Sequence, residues 1–84
     1  MPEKRIGVID HYYPRAHAAV VDLQERGIKV GQTVHIIGHG VDVTETVASL
    51  EKDHIAVDKA RKGEHVGLLV DEPVHAKADV FLVE

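Results

Sequence analysis

Residues 26–38 read Arg26-Gly-Ile-Lys-Val-Gly-Gln-Thr-Val-His-Ile-Ile-Gly38, and this stretch decides the fold class. Val34 and Ile36 alternate with polar neighbours and are β-branched, which is the pattern of a half-buried strand. Turn signals at Arg26-Gly27, Val30-Gly31-Gln32 and Gly38 punctuate it. The same grammar continues outward in both directions. Toward the N-terminus lie Ile6 and Val8, then Ala19, Val21 and Leu23; toward the C-terminus lie Val41, Val43 and Val47, then Val66, Leu68 and Val70, then Val80 to Val83. Further breaks fall at Tyr13-Pro14-Arg15, Gly38-His39-Gly40, Lys62-Gly63-Glu64 and Asp71-Glu72-Pro73. Short alternating runs separated by such turns predict an all-β fold, a six- to seven-stranded antiparallel closed barrel, with Val8, Val21, Ile36, Val66 and Leu68 facing the core.

Only residues 47–62 resist this reading, because good helix formers accompany apolar residues at Val47, Leu50, Ile55 and Ala60 that fit neither period cleanly. We read residues 44–54 as a strand and Val57 to Lys62 as a short helical turn or ordered loop. Gly7 and Gly67, inside strands, allow close backbone approach or a bend. Gly31 suits a turn with positive φ, and Pro14 stiffens the first hairpin.

The chain has 84 residues, the size of one domain, so residues 1–84 are expected to form a single unit. No cysteine is present, which excludes disulfides, thiolate metal sites and a cysteine nucleophile. No signal-like apolar segment and no run of about 18 apolar residues occurs, so a cytoplasmic protein without membrane contact is expected. Ten Lys and Arg against fourteen Asp and Glu give a formal charge of −4. Broad phosphate-backbone binding is thereby disfavoured, DNA is not expected, and local basic patches remain available. Tyr12, Tyr13 and Phe81 are too few for a multi-base stacking platform.

From Arg5 onward the order of signals resembles domain two of elongation factor Tu. The entry strand RIGVIDHYY leads to AHAAVVDL, then to residues 26–38, then to Ala60-Arg-Lys-Gly-Glu-His-Val-Gly-Leu-Leu-Val70 and the closing Asp79-Val-Phe-Leu-Val83. Two further segments, Ile6-Gly-Val-Ile-Asp-His-Tyr-Tyr-Pro14 and Val47-Ala-Ser-Leu-Glu-Lys-Asp-His54, are similar to the C-terminal barrel of the collagenase-like peptidase family and to free-standing elongation factor-like proteins. The likeness covers nearly the whole chain. It departs from the pattern at Lys77-Ala78-Asp79, where that barrel commonly carries a glycine before the acidic residue. No G-x-x-x-x-G-K-[ST] phosphate loop is present, and the peptidase domain is absent, so no catalytic residue carries over.

Seven histidines are candidates for chemistry. His35 and His39 would share a face if the strand continued, with His54, His65 or Asp42 completing a metal site, but no H-E-x-x-H or Cys-His spacing specifies one. Surface or hydrogen-bonded histidines are the expected reading, with His54 pinning the loop after its strand. No metal or other cofactor is expected, and no catalytic set is assigned, because no Ser, Cys or second His completes one. His11, Tyr12, Tyr13 and Arg15 form an aromatic cluster at a turn. Lys59, Arg61 and Lys62 form a basic knot, and Arg26 with Lys29 a second.

These segments, His11 to Arg15 and Lys59 to Lys62, are the expected partner-binding residues. The resemblance implies a non-catalytic binding module that contacts transfer or ribosomal RNA, or a protein of translation or RNA modification. Two alternatives stand beside it: a structural subunit completing a separately encoded collagenase-like peptidase-family enzyme, and a histidine-based metal- or small-ligand-binding barrel.

Overall fold

A computed structural model describes residues 2–84; Met1 of the expected 1–84 domain lies outside them. Among the described residues the secondary structure is entirely strand and turn. The strands are β1 (Glu3–Tyr13), β2 (Ala18–Leu23), β3 (Ile28–Lys29), β4 (Thr33–Gly38), β5 (Val41–Thr46), β6 (Leu50–Lys52), β7 (Ile55–Val57), β8 (Lys59–Ala60), β9 (His65–Leu69) and β10 (Asp79–Val83). Eight of them form one sheet in the order β5-β4-β10-β1-β2-β9-β6-β7, and β3 pairs with β8 in a second sheet. Every pairing is antiparallel. The strand count therefore exceeds the expected six or seven, because the 47–62 region contributes three short strands.

The ends of the large sheet are tied through residues 30–32. Val30 N–H donates to Asp58 O at 2.9 Å, Gly31 N–H to Val47 O at 2.8 Å, and Val47 N–H to Gln32 O at 2.8 Å. Gly31 makes this crossing with φ of 99°, as its turn position anticipates. No helix in the described residues is long and apolar enough to cross a membrane.

Alternation sets the core in most strands. Along β2, Ala19, Val21 and Leu23 are fully buried while Ala18, Val20 and Asp22 face outward. Val34 and Ile36 of β4 and Val66 and Leu68 of β9 follow the same rule. The expectation fails at Val8, which is only half-buried, while Ile6 and Ile9 are closed off from solvent. The reason lies in two irregularities of β1, between Arg5 and Gly7 against β10 and between Ile9 and His11 against β2. The first, with Ile6 as its extra residue, reverses the in-out parity, so Ile6 and Ile9, three apart, reach the same interior.

Gly7 is required at the first of these. A Cβ there would lie 2.0 Å from the Asp22 carbonyl oxygen. At Gly67, by contrast, the nearest atom would be 3.6 Å away, an ordinary contact, so the backbone does not need a glycine.

The 47–62 stretch corrects two further expectations. Residues 44–54 are not one strand: β5 ends at Thr46, Val47 turns inward on its bonds to residues 31 and 32, and β6 starts at Leu50. Val57 to Lys62 contains no helical turn: the end of β7 and all of β8 occupy half of it, and the rest is bend, loop and turn. Val47, Leu50 and Ala60 are buried and Ile55 is 66% exposed, so the helix-like spacing arises from one buried residue each in the β5–β6 connection, β6 and β8, while β7 buries none.

Asp53 and His54 make the two-residue turn between β6 and β7, with φ of 52° and 65°. Positive φ at both positions is what a tight hairpin of right-handed twist demands. The role of His54 is thus in its backbone, and no side-chain hydrogen bond from it pins the loop among the described residues.

Candidate functional site

On the outer face of β1, β2, β9 and β6 the pleat places small side chains side by side. Val20 pairs with His11 on one flank and Gly67 on the other, and Gly67 pairs in turn with Glu51. The neighbouring row is Tyr13, Ala18 and Leu69. The β1–β2 turn rises above this floor, closed by Ala16 N–H donating to Tyr13 O at 3.2 Å and His17 N–H to Pro14 O at 3.3 Å. The β6–β7 hairpin forms another wall. Between them lies a groove of about 620 Å³, lined by Tyr13, Arg15, Ala16, Ala18, Val20, Glu51, Asp53, His54, His65, Val66 and Gly67.

Of the expected partner-binding residues, Tyr13 and Arg15 line this groove, and His11 supports it, its ring 4.4 Å from that of Tyr13. Tyr12 points the other way and packs against the core, because adjacent strand residues face opposite sides. Lys59 lies elsewhere, in a shallow hollow of about 190 Å³ with Gly27, Ile28, Lys29, Gln32 and Ala60. Arg61 and Lys62 occupy the turn before β9, where Arg61 N–H donates to Glu64 Oε1 at 2.7 Å.

Of the second basic pair, Arg26 is engaged by Glu84 at 2.8 Å, whereas Lys29 sits directly opposite Lys59. Sequence reading missed the contribution of Glu51, Asp53, His65 and Gly67 to the groove. They come from β6 and β9, brought beside β2 by non-local pairing that no local signal announces.

The histidines do not assemble as a metal site would require. His39 leaves the strand in the Gly38-His39-Gly40 turn with φ of 55° and stacks on His75 at 5.4 Å, so it does not share the face of His35. His35 instead lies between Glu3 and Asp42, with Nδ1 2.9 Å from Glu3 Oε1 and Nε2 2.5 Å from Asp42 Oδ1. A ring with a carboxylate at each nitrogen is best served by two N–H donors, the cationic form. The Glu3 hydrogen bond first and the Asp42 one second raise its pKa above the ordinary 6.5. Among the described residues no group of three or more His, Asp or Glu side chains is arranged to hold a metal ion.

Two other contacts fix the frame. Glu45, 7% exposed, accepts hydrogen bonds from the backbone N–H groups of Asp71 and Glu72, each at 3.1 Å, and so clasps the loop after β9 to the edge strand β5. Lys52 and Glu64 form an ion pair that, with the Arg61 backbone N–H, draws the Glu64 carboxyl below its usual pKa.

Two solved structures superimpose on nearly all of this architecture. Both are of the C-terminal domain of a Geobacillus thermoleovorans protein assigned to the U32 peptidases. One has a TM-score of 0.84 at 20% identity and covers 92% of this chain and 96% of that one. The other has a TM-score of 0.86 at 19% identity and covers 96% and 93%.

The fold is that of a U32 peptidase C-terminal domain. In sequence, the chain is 32% identical over 80 residues to an uncharacterized protease of Methanocaldococcus jannaschii. That match covers 94% of this chain and 19% of the relative, so the chain spans about a fifth of the protein it resembles. No family model matches the sequence. These likenesses fit the collagenase-like peptidase side of the sequence resemblance; they do not show the elongation factor side.

Proposed function

We propose that this chain is a non-catalytic β module that packs, as a domain or a subunit, against a catalytic partner of the collagenase-like peptidase family. The observation that carries the reading is the match of 94% of the chain to a segment making up 19% of an archaeal protease. In that relative the matching segment has four-fifths of a long chain available to pack against. The fold likeness to an isolated C-terminal domain supports the same assignment. A module role also suits the groove, which gathers no nucleophile with a base beside it. The reading takes the sheet as curled into a closed barrel, with residues 30–32 completing the seam between β5 and the β7–β8 corner.

The test is a chimera in which the 84-residue chain replaces the matching segment of the M. jannaschii protease. By calorimetry the module should melt more than about 5 °C above the free chain, since docking worth about 1 kcal/mol shifts a domain of this size by that much. Coincident transitions for the free and the fused module would contradict the reading.

One observation favours a second reading, contact with RNA as the elongation factor likeness suggests. Lys29 and Lys59 are direct cross-strand partners in a chain of net charge −4, and like charges so placed are destabilising unless an anion lies between them. Binding to an RNA oligonucleotide, weakened by salt and with its salt slope flattened by Lys29→Ala with Lys59→Ala, would support it. Binding unchanged in the double variant would exclude that patch.

A further inference from the structure

We propose that the outer face of β2, β9 and β6 receives an extended polypeptide segment of the partner. The segment sets an apolar side chain in the notch over Gly67, an acidic group against Arg15 and a basic group against Glu51 and Asp53. This rests on the reading that the chain packs on a peptidase-family partner, and it names the face that does so.

Three independent observations converge on this groove. The first is its polarity. The solvent side of an antiparallel sheet is ordinarily polar, yet here it presents Ala18, Val20 and Gly67, flanked by Tyr13 at 51% and Leu69 at 44% exposure. Tyr13 is braced by His11 at 4.4 Å, a ring held in place while half of its residue surface faces water. Rigid aromatics of this kind give large contact area at low entropic cost.

The second is Gly67. It does not have positive φ, and a Cβ would meet nothing nearer than 3.6 Å, so the backbone would accept alanine. Glycine in a strand weakens it, and usually marks a place where something else comes close. On the groove floor, between Val20 and Glu51, the missing side chain leaves a notch.

The third is charge. Arg5, Arg26 and Lys52 have carboxylate partners, while other surface cations, including Lys29 and Lys59, have none among the described residues. Arg15, Glu51 and Asp53 have no ion-pair partner among the described residues. Arg15 stands on the β1–β2 turn, and the two carboxylates stand across β2 and β9 from it, on β6 and its turn. Open charges of opposite sign on two rims of an apolar floor complement a bipolar segment. Phosphate would be repelled at the carboxylate rim, which favours a polypeptide over RNA in this groove.

The experiment is amide hydrogen exchange on the free chain and on the chimera with the M. jannaschii protease. In the chimera, the turn amides of Arg15, Asp53 and His54 should exchange slower by about tenfold or more. Gly67→Leu, which fills the notch, should return those rates to the free-chain values, while the isolated variant keeps the parental strand spectrum.

Protection that appears instead around Val30 or Ile37, exposed apolar residues outside the groove, would overturn this face and leave the module reading intact. No change anywhere in the module would overturn both. A chimera whose turn amides stay protected with Gly67→Leu would also defeat the assignment. So would an RNA oligonucleotide whose binding to the free chain is abolished by Tyr13→Ala, since the groove would then serve nucleic acid.

Discussion

Replacing Gly7 by alanine should unsettle the fold more than any other single methyl addition to a strand. The new Cβ would stand 2.0 Å from Asp22 O, 3.0 Å from its carbonyl carbon and 3.2 Å from Leu23 Cα, all backbone atoms with no rotamer by which to escape. Relief requires β1 and β2 to part by about 1 Å where both are hydrogen-bonded, and overpacking of this kind costs about 1–3 kcal/mol. The upper end applies, because the carbonyl of the adjacent Ile6 also accepts from Gln24 N–H at 2.9 Å and Glu25 N–H at 3.0 Å, bonds that the same displacement strains. At about 0.05–0.15 kcal/mol per residue the whole domain has roughly 4–13 kcal/mol to lose. A loss of about 3 kcal/mol lowers the melting temperature by about 12–24 °C. Circular dichroism melts of Gly7→Ala beside Gly67→Ala measure this directly. Gly67→Ala should melt at or slightly above the parent, since alanine in a strand loses less entropy and has room. A Gly7→Ala melt within about 3 °C of the parent would refute the close approach of β1 to β2.

Three further outcomes are expected. Glu45→Ala removes the charged acceptor of two part-buried backbone N–H groups and should cost about 1–3 kcal/mol in urea unfolding; a parental midpoint would deny the clasp between β5 and residues 71–72. Lys77→Gly should stabilise by about 0.5–1 kcal/mol, because φ there is 74°, and a lower midpoint would contradict that strain. His35 has a folded pKa raised by Glu3 and Asp42, so its contribution is full below the unfolded value of 6.5 and fades as pH rises through the folded value. The stability gap between the parent and His35→Gln should therefore be largest near pH 5 to 6, where the carboxylates are still ionised, and shrink by pH 8. It should stay under about 1 kcal/mol because both carboxylates are exposed, and a gap that grows with pH would reverse the argument.

What the sequence disclosed and what it hid divide along physical lines. Alternation at Val21, Ile36, Val66 and Leu68 announced buried faces because those strands are regular. Val8 misled because the first irregularity of β1 reverses parity, and a bulge leaves no mark in composition. Within Lys77-Ala78-Asp79, where the resemblance implies a glycine before the acidic residue, Lys77 has φ of 74°, the left-handed backbone that glycine favours. Residues 47–62 mimicked a helix because Val47 and Leu50, buried three apart, lie on either side of a break between strands, while Ile55 faces solvent.

The candidate groove was half legible. Tyr13 and Arg15 stand out beside a turn proline, but the pleat that removes Tyr12 and the pairing that adds Glu51, Asp53, His65 and Gly67 belong to the tertiary arrangement. Lys29 and Lys59, thirty residues apart, become neighbours only through the β3–β8 ladder.

The central claim, that this module packs on a peptidase-family partner, is tested most directly by a crystal structure of the chimera with the M. jannaschii protease. The account predicts an interface burying more than about 1,000 Å² in total, with the outer face of β2, β9 and β6 inside it and the notch over Gly67 filled. A module tethered with less than about 800 Å² of contact, its groove open to solvent, would contradict it.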